Sequence, residues 1–303
     1  MNTRVVAHST PETLENIVTH FEELYPPHLA EPWDKPGLAV GDITSPVRKI
    51  YFALDATRAV IDDAVAWGAD LIVTHHPFLF NPLDSVTTRT DRGASIYTLI
   101  AHNCALFSAH TNADSARRGV NDALADTIGL INTRPLTPQA DDETLGLGRV
   151  GELTQPMTLH SLAQHVADVL PQAAQGIRTV GDPDALVHKI AVLGGSGGSL
   201  LNIIASSDAD VYITSDLKHH DVLDYVEAQN QTARITAAHT HATEENPTAK
   251  PHLIDTAHWA SESVWLPYAA HDVASTLADK GITIETKVSD ITTDPWTFHT
   301  RAD

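Results

Sequence analysis

The feature that most constrains the fold is a strand–helix–strand pattern near residue 50 that returns later in the chain. Residues 49–54 (KIYFAL) and 70–74 (DLIVT) are short apolar runs typical of buried strands. Residues 57–67 between them are typical of a helix. Such a unit joins its two strands by a right-handed crossover, which makes them parallel neighbours in one sheet. The pattern therefore predicts an α/β fold.

The same pattern recurs 140 residues further on without a gap. Eight positions repeat in phase across both strands and the helix: Val47, Lys49, Ile50, Val60, Ile61, Ala69, Asp70 and Thr74 are followed by Val187, Lys189, Ile190, Leu200, Leu201, Ala209, Asp210 and Thr214. A repeat of this kind indicates an old duplication. We predict two related α/β halves, residues 1–132 and residues 133–303, with a ligand site in the cleft between them.

The remaining elements follow from periodicity and from helix-capping residues. Ser9 and Thr10 before Pro11 predict the start of an amphipathic helix over 10–25. The rest of the prediction comprises a loop at 134–148, a strand at 149–153, helices at 119–129 and 158–170, a strand at 176–180, an exposed loop at 240–252, a helix at 272–280 and a strand at 282–286.

Composition restricts the chemistry that is available. A single cysteine, Cys104, excludes an internal disulfide framework and a multi-cysteine zinc site, whereas the chain has 18 histidines. The net charge of −20 argues against non-specific binding to nucleic acid or to anionic lipid. The first residues lack the pattern of a secretory signal and no run is apolar enough to span a bilayer, so we expect a cytoplasmic protein.

The motif Thr74-His75-His76-Pro77 directly follows the second strand. Because Pro77 takes the chain out of the sheet, both imidazoles can turn toward one cleft at the carboxyl end of the strand. Neutral imidazoles there suit Zn²⁺, Fe²⁺, Mn²⁺ or Ni²⁺. Two surface histidines that end a strand would give the same sequence.

Three more residues extend this set. Asp114 lies in a Thr-Asn-x-Asp turn, and His258 and Glu262 are four residues apart. Each has a structural alternative, a helix N-cap for Asp114 and a solvated i,i+4 pair for the other two. Taken together, His75, His76, Asp114, His258 and Glu262 form the ligand set of a dinuclear hydrolase-type centre.

His110 is the candidate catalytic residue. Residues 106–114 (LFSAHTNAD) and 253–262 (LIDTAHWASE) are both short strands that end in a histidine and a carboxylate. Open α/β sheets place their ligands at such carboxyl ends. With five better ligand candidates, His110 is predicted to carry a proton or to contact substrate.

Two further features leave their role open. His239 and His241 form a His-x-His pair beside Glu244 that could bind a second metal. The turn Gly194–Ser199 (GGSGGS) could bind phosphate or could be a tight strand-to-helix turn.

These motifs together resemble the dinuclear-metal family of GTP cyclohydrolase 1 type 2 homologues (Nif-three-like proteins). The resemblance runs nearly end to end and includes the segments WDKPGLAVGD (33–42), ALDAT (53–57), DLIVTHHP (70–77), SAHTNAD (108–114), DVYITSDLKHHD (210–221) and IDTAHWASE (254–262). Pro36 and Ala257 depart from the family, which usually has Asn and Gly at those positions.

The resemblance implies two divalent metal ions per chain, held by the same five residues, with Glu262 bridging them. It also implies a ring-shaped homohexamer, a trimer of dimers. The expected activity is opening of the purine ring of GTP by water that a metal activates. More generally, the resemblance implies a small anionic substrate. A metallo-phosphoesterase or a non-enzymatic metal-binding scaffold fits the same ligands.

Overall fold

The computed structural model describes residues 11–240 and 250–300 of the chain. Its strands, in chain order, are β1 Glu12–Thr13, β2 Gly37–Val40, β3 Pro46–Val47, β4 Lys49–Ala53, β5 Leu71–Thr74, β6 Ala105–Ser108, β7 Ile131–Pro138, β8 Gly146–Thr158, β9 Arg178–Val180, β10 Leu186–Ser196, β11 Val211–Ser215, β12 His252–Thr256 and β13 Glu285–Val288. Its α-helices are α1 Leu14–Leu24, α2 Arg58–Trp67, α3 Asp91–Ala101, α4 Thr111–Ser115, α5 Val120–Ile128, α6 Leu159–Val169, α7 Leu201–Ala205, α8 His219–Thr240, α9 His258–Ser263 and α10 Trp265–Asp279. The α/β class is confirmed.

The chain forms two compact units, which are described separately. Unit 1 comprises residues 1–113 and 266–293, and unit 2 comprises residues 114–265 and 294–303. These units are defined by how the chain packs, whereas the predicted boundary between residues 132 and 133 separates the two halves of the proposed duplication. The predicted boundary therefore remains a prediction.

Unit 1 contains a five-stranded sheet in the order β13-β4-β5-β6-β2. The strands β13, β4, β5 and β6 are parallel, and the edge strand β2 is antiparallel to β6. Tyr51 and Ala53 of β4 pack with Val60 and Ile61 of α2 on one face. On the other face, Phe21 of α1 contacts Phe52 and Phe107. The predicted β4–α2–β5 unit is therefore confirmed.

Unit 2 contains a six-stranded sheet in the order β7-β8-β10-β11-β12-β9, with β10, β11 and β12 parallel. Alternate residues of β10 face opposite cores, because side chains alternate along a strand. Ile190 and Val192 pack with helices α5 and α6. Ala191 and Leu193 pack with the segment around α7 and the start of α8. Both faces of this sheet are thus covered, as parallel strands require.

Asp70 and Asp210, two residues of the predicted repeat, make the same backbone contacts in their own units. The Asp70 Oδ2 accepts hydrogen bonds from the backbone N–H groups of Arg48 (2.7 Å) and Lys49 (2.9 Å). The Asp210 Oδ2 accepts them from His188 (2.9 Å) and Lys189 (3.0 Å). In each unit a carboxylate therefore ties the start of one parallel strand to the start of the next.

Three sequence-based details are wrong. Helix α1 begins at Leu14 with Thr13 as its N-cap, not near Ser9 and Thr10. The segment predicted as a loop contains strand β7, which pairs with β8 as a hairpin. The last helix begins at Trp265 instead of residue 272, because Pro267 is tolerated in a first helical turn.

Among the described residues, no helix is both long enough and apolar enough to cross a membrane.

Candidate metal centre

The paired histidines lie where β5 ends. His75 is fully buried and His76 is half-buried, and their ring centroids are 5.1 Å apart. The hydroxyl of Thr74 donates to the carbonyl of His76 (2.9 Å), and the His76 N–H donates to the carbonyl of Leu54 (3.1 Å). These two bonds fix the turn that leaves the strand and bring adjacent side chains together.

The Nδ1 atom of each paired histidine lies within hydrogen-bond distance of an acceptor oxygen. His75 Nδ1 lies 2.8 Å from the carbonyl oxygen of Ala109. His76 Nδ1 lies 2.7 Å from Oδ1 of Asp55. Because a carbonyl only accepts, His75 carries its proton on Nδ1, and the neutral ring therefore has its lone pair on Nε2. Metal-binding histidines in proteins are typically oriented in this way.

His110 completes a cluster of three histidines in unit 1. One ligand atom from each of His75, His76 and His110 lies within 4.8 Å of the other two. The ring centroid of His110 is 5.1 Å from that of His75 and 5.6 Å from that of His76. The donor set fits a divalent transition metal, for which imidazole is a preferred ligand.

Asp34 orients His110. Its buried carboxylate lies 2.8 Å from Nδ1 of His110 and accepts hydrogen bonds from the N–H and the hydroxyl of Thr111. Burial alone would raise the pKa of Asp34, but the bonds from His110 and Thr111 outweigh it and lower the pKa to about 2. An ionised Asp34 therefore faces Nδ1 of His110 at neutral pH.

His258 and Glu262 lie on one face of α9 in unit 2. Nε2 of His258 is 3.1 Å from Oε2 of the buried Glu262. Nδ1 of His258 is 2.7 Å from Oδ2 of Asp216, so this ring has the same arrangement as His76 with Asp55. Asp216 adopts the left-handed region at φ 56°, a strained conformation for a residue other than glycine. Ala257 precedes the helix with φ −72°, so the position needs no glycine.

The glycine turn supports Glu262. A Cβ on Gly195 would lie 2.0 Å from Oε1 of Glu262, and its φ of +67° also favours glycine. The N–H of Gly195 donates to the hydroxyl of Ser261 (2.9 Å), and the N–H of Gly194 donates to Oδ1 of Asn121 (2.8 Å). Since both N–H groups already have protein acceptors, this part of the turn is not a phosphate cradle.

Asp114 is buried in α4, four residues after His110. Its carbonyl accepts a hydrogen bond from Nδ2 of Asn121 (2.9 Å). Asn121 therefore connects Asp114 to the glycine turn against which Glu262 packs. The helix that follows is capped by Gly119, so Asp114 is not the N-cap of α5.

Three orienting carboxylates were not predicted as site residues: Asp34, Asp55 and Asp216. Each lies in a segment that carried the family resemblance, but each is far in sequence from the histidine it contacts, 76 residues in the case of Asp34 and His110. The predicted His-x-His pair, His239 and His241, lies outside the residues whose side chains the structure describes.

Comparisons with known proteins agree on one family. The family model of Duf34/NIF3 (NGG1p interacting factor 3) matches residues 12–295. A Streptomyces coelicolor protein named GTP cyclohydrolase 1 type 2 homolog is 40% identical over 288 residues, which cover 94% of each chain. A Mycobacterium leprae protein of the same name is 29% identical and covers 95% of this chain and 96% of its own.

A solved structure has a similar fold. The crystal structure of a Bacillus cereus protein related to NIF3 superposes with a TM-score of 0.83 at 27% identity, covering 96% of this chain and 100% of that one.

Proposed function

The chain belongs to the Duf34/NIF3 family, and from that premise we propose that it is a divalent-metal-dependent hydrolase. In this proposal His75, His76, Asp114, His258 and Glu262 hold two metal ions, and His110 carries a proton. The observation that supports it most strongly is the engagement of Nδ1 in His75, His76 and His258 by a carbonyl or a carboxylate. That arrangement directs Nε2 toward a ligand.

The division of labour follows from the neighbours of each residue. The Ala109 carbonyl, Asp55 and Asp216 set the ring orientations of His75, His76 and His258. The glycine turn leaves room for Glu262, the proposed bridging ligand, since a side chain at Gly195 would overlap its carboxylate. Divalent ions bound by these residues would lower the pKa of a water molecule toward neutrality.

His110 is proposed as the general base. The Asp34 carboxylate accepts a hydrogen bond from the Nδ1–H group of His110, so Nε2 of the neutral ring can accept the proton of the attacking water. The negative charge on Asp34 stabilises the imidazolium that results. The same group can then return the proton to the leaving nitrogen or oxygen.

The names of the relatives suggest GTP as the substrate. Water would attack C8 of the purine and open the imidazole ring, on a path toward dihydroneopterin triphosphate. A phosphoester is the alternative substrate, and a metal-binding scaffold without activity is the alternative function.

The test is to load the purified protein with Zn²⁺, Fe²⁺, Mn²⁺ or Ni²⁺ and to incubate it with GTP, other nucleotides and simple phosphoesters. Products would be identified by mass. We expect two ions per chain, loss of both in Glu262→Ala, and no loss in the control His160→Ala, which changes an exposed histidine of α6. Full occupancy in Glu262→Ala would refute the bridging role. Full occupancy in the wild type without any product would favour the scaffold.

A further inference from the structure

Unit 1 contains a cavity of about 640 Å³ that is separate from the histidine cluster. Its lining includes Lys35 and the consecutive residues Ala39–Asp42, so the cavity follows the edge strand β2. Helix α3 and the loop that precedes it form the opposite wall, through Ile96, Ile100, Leu83 and Val86. Its volume lies in the range of roughly 300–1,000 Å³ that is usual for small-molecule sites.

Most of this cavity lies at the amino ends of the parallel strands. Its lining includes Val47, which lies two residues before β4, and Asp70 and Cys104, which directly precede β5 and β6. His75 and His110 instead follow the carboxyl ends of β5 and β6. A strand of four residues spans roughly 13 Å, so the deep part of the cavity is distinct from the candidate metal centre.

The floor of the cavity is apolar. Leu14, Val47, Leu99 and Cys104 are all buried beneath it. Burial raises the pKa of the Cys104 thiol to about 12, so this side chain stays neutral and behaves as a small apolar group. A hydrocarbon placed on this floor would be stabilised because its apolar surface is removed from water.

The two carboxylates and the one lysine that line the cavity differ in how far the protein already satisfies their hydrogen bonds. Both carboxylates that line it are engaged within the protein: Asp42 accepts two hydrogen bonds from Thr44, and Asp70 accepts two from the backbone at the start of β4. Among the described residues, Lys35 is the only cation of the lining. Its ammonium group is exposed and donates to the carbonyl of Phe80 at 3.3 Å, which leaves two further N–H donors.

We propose that this cavity binds a small amphipathic carboxylate, with its hydrocarbon body along β2 and its carboxylate at the Nζ of Lys35. An apolar cavity whose lining carries a single cation suits this class of ligand. A neutral hydrocarbon would leave Lys35 unused, and a dication would find no available carboxylate in the lining. The exposed apolar side chains of Val86 and Ile100 become covered when the ligand is bound.

The test uses decanoate and the neutral decanol as probes, titrated into the metal-loaded full chain by calorimetry at concentrations below micelle formation. We expect saturable binding of both, with decanoate tighter. Val86→Trp should fill the cavity and weaken both probes at least about tenfold, a loss of about 1.4 kcal/mol. Tyr97→Trp is the matched control, because Tyr97 lies on α3 with an exposed side chain and is not in the lining.

A second pair of variants tests the head group. Lys35→Met should weaken decanoate about three- to tenfold and leave decanol unchanged, whereas Arg58→Met removes a cation of unit 1 outside the cavity and should change neither. These variants also separate the cavity from binding of the carboxylate to a metal, because none of the four residues is a proposed metal ligand.

Three results would overturn the proposal. They are the absence of saturable binding by either probe, equal losses in Val86→Trp and Tyr97→Trp, and equal losses of both probes in Lys35→Met. If neither probe binds and Ile100→Glu lowers the mass of the particle in solution, the surface is instead a contact between copies of the chain.

Discussion

A histidine becomes a good metal ligand or base when a neighbour determines which of its ring nitrogens carries the proton. Asp34 does this for His110 at a distance of 2.8 Å. We predict that His110→Ala keeps two metals but loses at least about 100-fold of any hydrolytic rate, because general bases contribute about 10²–10⁴-fold. Metal content by mass spectrometry and turnover on the active substrate are the measurements. Loss of a metal would make His110 a ligand, and unchanged turnover would make it structural.

The variant Asp34→Asn tests the residue that orients His110. The amide oxygen of asparagine can still accept a hydrogen bond from the Nδ1–H group of His110, but it carries no charge to stabilise the imidazolium. The expected result is a rate loss of roughly 10–100-fold with full metal content. A loss confined to KM would contradict the proposed role in proton transfer and assign Asp34 to substrate binding.

Gly195 and Gly176 form a natural matched pair. Their φ angles are +67° and +68°, so a Cβ is equally strained at both, but at Gly195 it also meets Oε1 of Glu262 at 2.0 Å, whereas at Gly176 nothing lies within 4 Å. Gly176→Ala should lower the free energy of unfolding by about 1–2 kcal/mol and keep the metals. Gly195→Ala should cost more and should lower metal occupancy. Equal occupancy in the two variants would show that the glycine turn does not position Glu262.

The sequence pattern identified the histidines of the site but not the carboxylates that orient them. His75, His76 and His110 were identifiable because each follows an apolar run that predicts a strand, and the carboxyl ends of parallel strands lie at one edge of a sheet. Asp34, Asp55 and Asp216 were not, since a contact across many residues depends on how the loops fold. Asp216 also adopts a left-handed backbone, which aspartate visits more often than most residues, but the sequence does not show at which aspartate this happens.

Among the elements, the buried strands of unit 1 and their crossover helix were predictable, whereas the edge strand β7 was not. The β4–α2–β5 unit has a strong apolar pattern, and its predicted bounds differ from the structure by one residue at most at each end. Strand β7 contains Pro135, Pro138 and the exposed Ile131, and in the sheet it pairs with the hairpin strand β8. Proline is tolerated at such an edge, so a pattern typical of a loop can be a strand.

Helix α5 is attached to strand β8 by a buried ion pair. Arg149 is 2% exposed, forms a bidentate pair with Asp122 and also donates to the carbonyls of Gly146, Gly148 and Ala116. Arg149→Met would leave Asp122 without its main partner, and we expect a loss of about 3–5 kcal/mol in the free energy of unfolding by denaturant. The exposed Arg117, which lies near Asp142, is the control, and Arg117→Met should cost less than about 1 kcal/mol. If Arg149→Met also costs less than about 1 kcal/mol, the Arg149 network adds little to stability.

For the whole molecule, the duplication remains a prediction. It is supported by the paired contacts of Asp70 and Asp210 and by the parallel strands that these residues connect. The sequence predicts it because residues recur in phase, among them two carboxylates with the same structural role. The dinuclear centre is likewise a prediction: within unit 1 the ring orientations of His75, His76 and His110 are set by their own neighbours, and within unit 2 that of His258 is set by Asp216.

Assembly is the last prediction and belongs to this scale. The family resemblance implies a homohexamer, yet each chain carries a net charge of −20, so identical copies repel one another at long range. The contacts between copies must therefore be apolar or locally compensated. Because salt screens charges beyond about 10 Å at 0.1 M, raising the ionic strength should favour assembly. Light scattering at several protein and salt concentrations should give a mass six times that of one chain, retained or increased at higher salt. A monomer throughout that range would exclude the ring, and dissociation by added salt would show that ion pairs, not apolar contacts, join the copies.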